Sequence, residues 1–465
     1  MGDMNATTRR LLDGPIAPTL LALAIPNVVM LVAQVSLNVL EGYFVGWLGT
    51  DALAGVSVTF PLIMLMQTMS AGGMGGGVAA AVARALGGGR RAEADALVAH
   101  AIVIALALAA VFTAALLAGG RALYAAMGAH GGALDAALAY SDVIFAGAAA
   151  FWLFNTLAAV IRGTGNMRLP AGVVLGGAVG LAALSPALIF GWGPLPHLGV
   201  RGAAVALVAY YAAGAAIFLA YLLSERSLVR LSRVRFRRAL FADILRVGGP
   251  SLVNNVQTNL TVVLLTALVG PFGSVALAGY GVGVRLEYLQ IPIVFGFGSA
   301  LVTMVGTNVG AGRHARARRV AWTGALMAAA VTGTIGLAAA LFPRAWLGLF
   351  SSDPDVLAAG AAYLRIVGPV YGFFGLGLAL YFASQGAGRL TWPIVASATR
   401  LVVAGAGGWI AVRAGGVGLS GLFGVMAVAL VVFGAIVAGA IMLGAWETGP
   451  ERRAVLTAPL GAPPS

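Results

Sequence analysis

The sequence predicts an all-α polytopic membrane protein, with twelve transmembrane helices in two six-helix lobes related by pseudo-two-fold symmetry. Three observations predict it. Of 465 residues, 60% are hydrophobic and only 9% charged, with mean hydropathy +0.96, whereas a soluble domain carries about 25% charge. Such a chain cannot cover its own surface in water. The apolar residues fall in twelve stretches, each roughly 20 residues or longer, the length that crosses a bilayer. Landmark residues in the first half return in the second at a separation of 223 or 224.

In chain order, residues 1–15 form a short N-terminal segment. Gly, Pro and Arg clusters then delimit spans near 16–46, 52–80, 97–119, 138–161, 170–192, 200–223, 244–269, 275–304, 319–341, 360–384, 391–412 and 418–444. The first span follows Arg9 and Arg10 but has no small-residue cleavage site, so it reads as a retained helix rather than a signal peptide. The second holds AGGMGGG at 71–77. That run lacks the Lys-Ser/Thr and the preceding strand of a phosphate loop, so it reads as close helix packing or a bending point. Six spans make a first lobe over 16–223, and six more a second over 244–445. The basic segment 224–243 links them and 446–465 is a tail. In the linker, Arg226, Arg230, Arg233 and Arg237 recur at helical spacing. It reads either as an amphipathic helix on the membrane surface or as a plain topological signal.

The net charge is +13, and all 28 basic residues are Arg. They fall in short loops between apolar segments, which points to membrane topology rather than to nucleic acid. With both termini in the cytoplasm, 21 arginines lie on the inner side and four, Arg121, Arg201, Arg344 and Arg413, on the outer. Three more, Arg285, Arg365 and Arg400, fall inside spans. There are no cysteines, which removes disulfides and thiolate metal sites.

The halves repeat. Tyr140 and Tyr363, Gly163 and Gly386, Gly165 and Gly388, and Pro170 and Pro393 are 223 apart, and Pro26 and Pro250 are 224 apart. An even number of spans returns the chain to the same side. The repeat is therefore parallel, with the lobes related by an axis along the membrane normal. A central cavity between them and rocking of one against the other follow as expectations.

The first span carries Asn27, Gln34, Asn38 and Glu41. Steps of seven, four and three place all four on one helical face. A carboxylate in an apolar span costs roughly 2.5–3.5 kcal/mol on insertion scales. Such a residue faces a bundle interior or a water-filled cavity.

The strings EGYFVGWLGTDALAGV, VARALGGGRRAEA with its repeat VGTNVGAGRHARARR, IRGTGNMRLP and ALSPALIFGWGPLPHLGVRGAA resemble the multidrug and toxic compound extrusion (MATE) family over about residues 15–445. The resemblance implies two lobes of six helices, an outward-open cavity, and export of amphipathic, often cationic compounds in exchange for protons or sodium. It also implies an aspartate five positions before the Gly of a VGxLG pattern; here that position is Glu41, before Gly46, which carries the role over on a longer side chain. The family's Asn and Asp of the fifth helix are replaced by Leu181 and Ser185. Acids that one branch carries in the seventh and tenth helices fall at Thr258 and Phe374. A sodium site built on those acids is thus not expected.

Glu41 is the expected coupling residue, since desolvation lets a buried carboxyl load and release a proton. Gln34 and Asn38 lie along the same face, where they either line the site or hold helices together. Asn155, with Phe151 and Trp152, makes a polar–aromatic wall suited to flat cations, or simple packing. Gln257 stands among crowded amides of the seventh span. Arg285 and Glu287 lie deep in the eighth, and Arg400 of the eleventh is placed to meet Glu287. That pair reads as a structural ion pair or as a second proton or cation site. The four histidines lack metal-ligand spacing and read as solvated.

The expectation is a monomeric inner-membrane antiporter with no cofactor, which exports small organic cations or amphipathic drugs. Protons are favoured over sodium because few oxygens surround Glu41. A sodium-coupled exporter of the same family and a lipid-linked oligosaccharide flippase of the same superfamily are the alternatives. Lipids are partners and nucleic acid is not. An enzyme is not expected, because no nucleophile–base set or acid–base cluster is present.

Overall fold

The computed structural model describes residues 6–193, 195–413 and 416–446, without the side chains at 35, 38 and 39. The described residues form two compact units. One is Ala22–Ser251 together with the N-terminal helix, and the other is Leu252 onward together with Gly14–Leu21. Residues 447–465 of the expected tail lie outside the described residues.

The chain opens with α1 (Ala6–Asp13) and the first span α2 (Ile16–Gly46). The second span is α3 (Thr50–Thr68) joined to α4 (Gly75–Gly87) through one wide π-turn, Met69–Met74. Glycine permits this turn, which lies where the glycine run suggested a bend or close packing. The close packing is present: a Cβ on Gly77 would lie 2.7 Å from the Gly248 backbone nitrogen. There follow α5 (Arg91–Ala126), α6 (Gly131–Ala146), α7 (Ala148–Gly163), α8 (Arg168–Phe190) and α9 (Val200–Leu223). The fourth span, read from sequence as one helix, is α6 and α7 bent by 49°. The break is at Gly147, where the Val208 side chain sits so close that a Cβ would meet it at 2.6 Å.

The second half runs α10 (Arg238–Val269), α11 (Ser274–Gly310), α12 (His314–Leu341), the short α13 (Pro343–Leu347), α14 (Pro354–Val367), α15 (Tyr371–Ala387), α16 (Thr391–Val402), α17 (Gly408–Arg413) and α18 (Leu419–Met442). Eleven helices of the described chain are long and apolar enough to span a membrane, and the α6–α7 pair brings the number to twelve.

The repeat is visible in the packing. A Cβ on Gly55 would strike Ala133, Ala136 and Ala137 at 2.6–2.8 Å, and one on Gly279 would strike Val356, Ala359 and Gly360 at 2.7 Å. Each of these positions is the other's mate at 223 or 224. A Cβ on Gly163 would lie 2.8 Å from Ala79 O, and one on Gly386 would lie 2.6 Å from Val302 O. These are the close backbone crossings that small residues allow in membranes.

Two expectations are corrected. The linker is not an amphipathic helix: residues 225–237 contain no helix, and the next begins at Arg238. Its backbone is tied elsewhere, with Leu231 N–H donating to Leu222 O at 3.1 Å and Arg230 N–H to Asp95 Oδ1 at 2.8 Å. Val229 of the linker is itself buried. His100 is not solvated but fully buried. One ring nitrogen lies 2.8 Å from Ala96 O, and Nε2 accepts the Arg237 backbone N–H at 2.9 Å, which pins the linker where α10 begins. Arg84 and Asp243 add an ion pair at 2.8 Å, so the start of α10 packs within the first unit.

Candidate functional site

Glu41 sits on α2 with its side chain half-buried. The buried Tyr140 of α6 donates its hydroxyl to Glu41 Oε1 at 2.6 Å, the length of a charge-assisted O–H···O⁻ bond. Two helical turns earlier on the same face, Gln34 Nε2 donates to the Tyr211 hydroxyl at 3.4 Å. Tyr211 in turn donates to Gln67 Oε1 at 3.2 Å. Its ring stacks on Phe151 with centroids 3.8 Å apart and meets Phe154 edge-on at 5.1 Å. A row of polar side chains from α2, α3, α6 and α9 thus lies beside an aromatic wall from α7. Asn38, expected in this row, has its side chain outside the described residues.

Asn155 and Trp152 are seated deeper than a cavity wall requires. Asn155 is buried and donates to Ser70 Oγ at 3.0 Å and to Phe151 O at 3.1 Å. Ser70 belongs to the π-turn, a feature that recurs at functional sites. Trp152 is fully buried, 5.9 Å from the Phe112 ring. Phe151, beside them, carries the contact with Tyr211. Leu181 and Ser185 are both buried.

In the second unit, Arg400 and Glu287 meet. Nη2 is 3.3 Å from Oε1, and each side chain is 13% exposed. The Tyr363 hydroxyl points at Glu287 Oε2 from 3.4 Å, and Tyr371 stands behind it, 3.4 Å from Tyr363. The guanidinium also lies 5.8 Å from the Phe374 ring and 5.8 Å from the Phe433 ring. Arg285, two residues from Glu287, does not join them. It is exposed and lies over Phe350 at 5.3 Å. Gln257 is half-buried on α10, with its Oε1 enclosed and unpartnered. Asn254, one turn earlier, accepts from the Ser397 hydroxyl of α16.

The family model MatE matches residues 26–186 and again 250–410. This chain belongs to the MATE family. As a MATE transporter it is a membrane transport protein and not an enzyme, and the two matches, 224 residues apart, are its internal repeat. The FAD transporter of Shewanella oneidensis is 28% identical over 80% of this chain and 82% of its own length. A probable multidrug resistance protein NorM of Deinococcus radiodurans is 30% identical over 87% of this chain and 90% of its own. The solved structure of a MOP superfamily transporter from Pyrococcus furiosus covers 96% of this chain and 100% of that one, at TM-score 0.85 and 24% identity, a likeness of fold.

Sequence reasoning missed the partners of Glu41 in this MATE transporter. Tyr140 was in view as the repeat mate of Tyr363, and both tyrosines prove to reach a carboxylate. Gln67 and Tyr211 carried no signal beyond being polar groups in apolar spans. Tyr140→Phe removes the hydroxyl donor while keeping the ring. Hydrogen bonds to charged groups are worth about 1.5–3 kcal/mol, so we expect gradient-driven export slower by about tenfold or more. The check is dye efflux from cells matched for membrane abundance of the variant. Export at the parental rate would remove Tyr140 from the site.

Proposed function

We propose that this protein is a secondary antiporter that exports small amphipathic or cationic compounds in exchange for protons at Glu41, by rocker-switch alternating access. One observation carries the reading: the single carboxylate of the polar row is held by one tyrosine hydroxyl and, among the described residues, by no cation. A carboxyl of that kind has two stable occupancies, protonated or paired with an incoming cation. A ligand shifts a two-state equilibrium only through differential affinity, and exchange between these occupancies supplies it. Gln34, Asn38, Tyr211 and Phe151 are the candidate cargo contacts, with Trp152 and Asn155 supporting the wall and Gln257, Arg285, Glu287 and Arg400 as candidates in the second unit. The multidrug names carried by relatives such as the Deinococcus protein agree with this cargo class.

Protons are favoured over sodium because a hard cation needs several oxygens, and among the described side chains one hydroxyl reaches Glu41. The setting we infer is a monomer in the inner membrane with both termini cytoplasmic, as the arginine asymmetry indicates. A flavin dinucleotide is the second reading, favoured by the Shewanella relative and by the stacked Phe151–Tyr211 pair. The test is purified protein in liposomes with an imposed proton or sodium gradient, offered organic cations, the dinucleotide and a lipid-linked oligosaccharide. Organic-cation movement under the proton gradient is expected. Movement under sodium alone, or of the lipid-linked sugar alone, overturns the reading.

A further inference from the structure

Each unit holds one carboxylate reached by a tyrosine, and the tyrosines are repeat mates: Tyr140 donates to Glu41, and Tyr363 faces Glu287. The carboxylates are not mates. The position matching Glu41 is Leu265, which is buried in an apolar cluster. The position matching Glu287, in the 224 register that relates Gly55 to Gly279, is the buried Ile63. The same arrangement has therefore been built twice, with the acid placed on the first helix of one half and on the second helix of the other.

What differs is the counter-charge. The aromatic walls that hold the Arg400 guanidinium are Phe374 and Phe433. Their mates at 223 are Phe151 and Tyr210, so the first unit keeps the walls. The mate of Arg400 itself is Gly177, where a Cβ would lie 2.5 Å from the Tyr210 ring. The first unit has no covalent cation at this place, and the aromatic ring closes over the glycine. In the second unit a guanidinium fills the space, in contact with a carboxylate and two ring faces, which are the interactions an organic cation makes with a cation-binding pocket. The ionisable groups around Glu287 are Arg400, Tyr280, Tyr288, Tyr363 and Tyr371. Arg400 is the only cation among them.

We propose that Arg400 is a tethered cation that permanently occupies a cation site of the second unit, formed by Glu287, Tyr363, Phe374 and Phe433, and so leaves Glu41 as the exchangeable site. The site's ligand class follows from its occupant: a small guanidinium or comparable planar organic cation. The proposal rests on the reading of Glu41 as the exchanging group, but its test does not pass through Glu41.

Arg400→Ala vacates the guanidinium while leaving the carboxylate, the tyrosines and both rings. Purified Arg400→Ala protein in detergent is titrated with millimolar ethylguanidinium, with labelled probe to count sites and the unfolding temperature as a second readout. Arg400→Met, which preserves the bulk of the side-chain stem, is run beside it so that the answer does not hang on one variant folding. The expected result is saturable binding of about one probe per chain beyond whatever the parent protein binds, with a rise in unfolding temperature, as complementation of a vacated ion-pair site requires. The parent protein shows no such added site. Adding Glu287→Gln to either variant abolishes the added binding, and adding Glu41→Gln leaves it. No added binding in either variant, or added binding that survives Glu287→Gln, overturns the proposal. A failure of the coupling reading appears elsewhere, as exchange that persists in Glu41→Gln alone.

Discussion

Glu41→Gln is expected to reduce gradient-driven export to the background of cells lacking the transporter, while the protein reaches the membrane at the parental level. The substitution keeps side-chain length and leaves an oxygen to accept from the Tyr140 hydroxyl, so the local packing survives. What it removes is the charge. Within the first unit the structure offers no replacement. The fifth-span positions where the family resemblance implies Asn and Asp are Leu181 and Ser185 here, both buried. Among the described side chains, the polar row around Glu41 otherwise holds Gln34, Gln67, Tyr140 and Tyr211, which are neutral near physiological pH. A neutral row retains contact with a cargo but has no charge to exchange for it. The variant is therefore expected to bind cargo weakly and carry it only down its own gradient. The checks are efflux of a fluorescent cation and an immunoblot of the membrane fraction. Parental export with parental abundance would remove Glu41 from the coupling step.

Glu287→Gln is expected to be the most destabilising single change in the second unit. It leaves the Arg400 guanidinium 13% exposed without its counter-charge, and breaking a buried pair from one side costs about 3–5 kcal/mol. The contacts with Phe374 and Phe433 are present in parent and variant alike and do not replace the lost counter-charge. The loss is a large fraction of ordinary folding stability. The unfolding temperature in detergent and the folded yield are both expected to fall sharply. The double variant Glu287→Gln/Arg400→Met, in which neither charge remains, is expected to recover most of the loss, because burying a satisfied apolar pair is often no worse than burying ions. A Glu287→Gln protein as stable as the parent would show that water or another group already satisfies Arg400.

The helices were legible because crossing a bilayer demands long apolar runs, and the repeat was legible because close crossings demand glycine. Gly163, Gly386, Gly55 and Gly279 stand at repeat spacing since each is pressed against a neighbouring backbone. The bend at Gly147 was not legible: hydropathy is continuous through Ala146–Gly147–Ala148, no proline marks the break, and the side chain that leaves no room for a Cβ there is Val208, 61 residues away in the chain. The linker misled for the opposite reason. Its arginines recur at helical period, but the backbone hydrogen bonds go to Leu222, Asp95 and His100, and these tertiary partners override a local pattern. His100 has no periodic signature either, and only the fold shows that both ring nitrogens are engaged. At the site, Glu41 stood out because a carboxylate is rare in an apolar span, and the Arg400–Glu287 pair was reachable by estimating depth along two spans. Tyr211 and Gln67 were not, because a network joining three helices leaves no spacing in any one of them.

The central claim is that a single carboxyl exchanges a proton for a cargo cation. The most direct measurement places the protein in liposomes containing a trapped pH indicator, adds an organic cation with no imposed gradient, and records proton movement during cargo uptake. Cargo-dependent proton counter-movement is expected in the parent protein and none in Glu41→Gln. Proton movement that persists in Glu41→Gln, or cargo uptake in the parent that moves sodium and no protons, would contradict it.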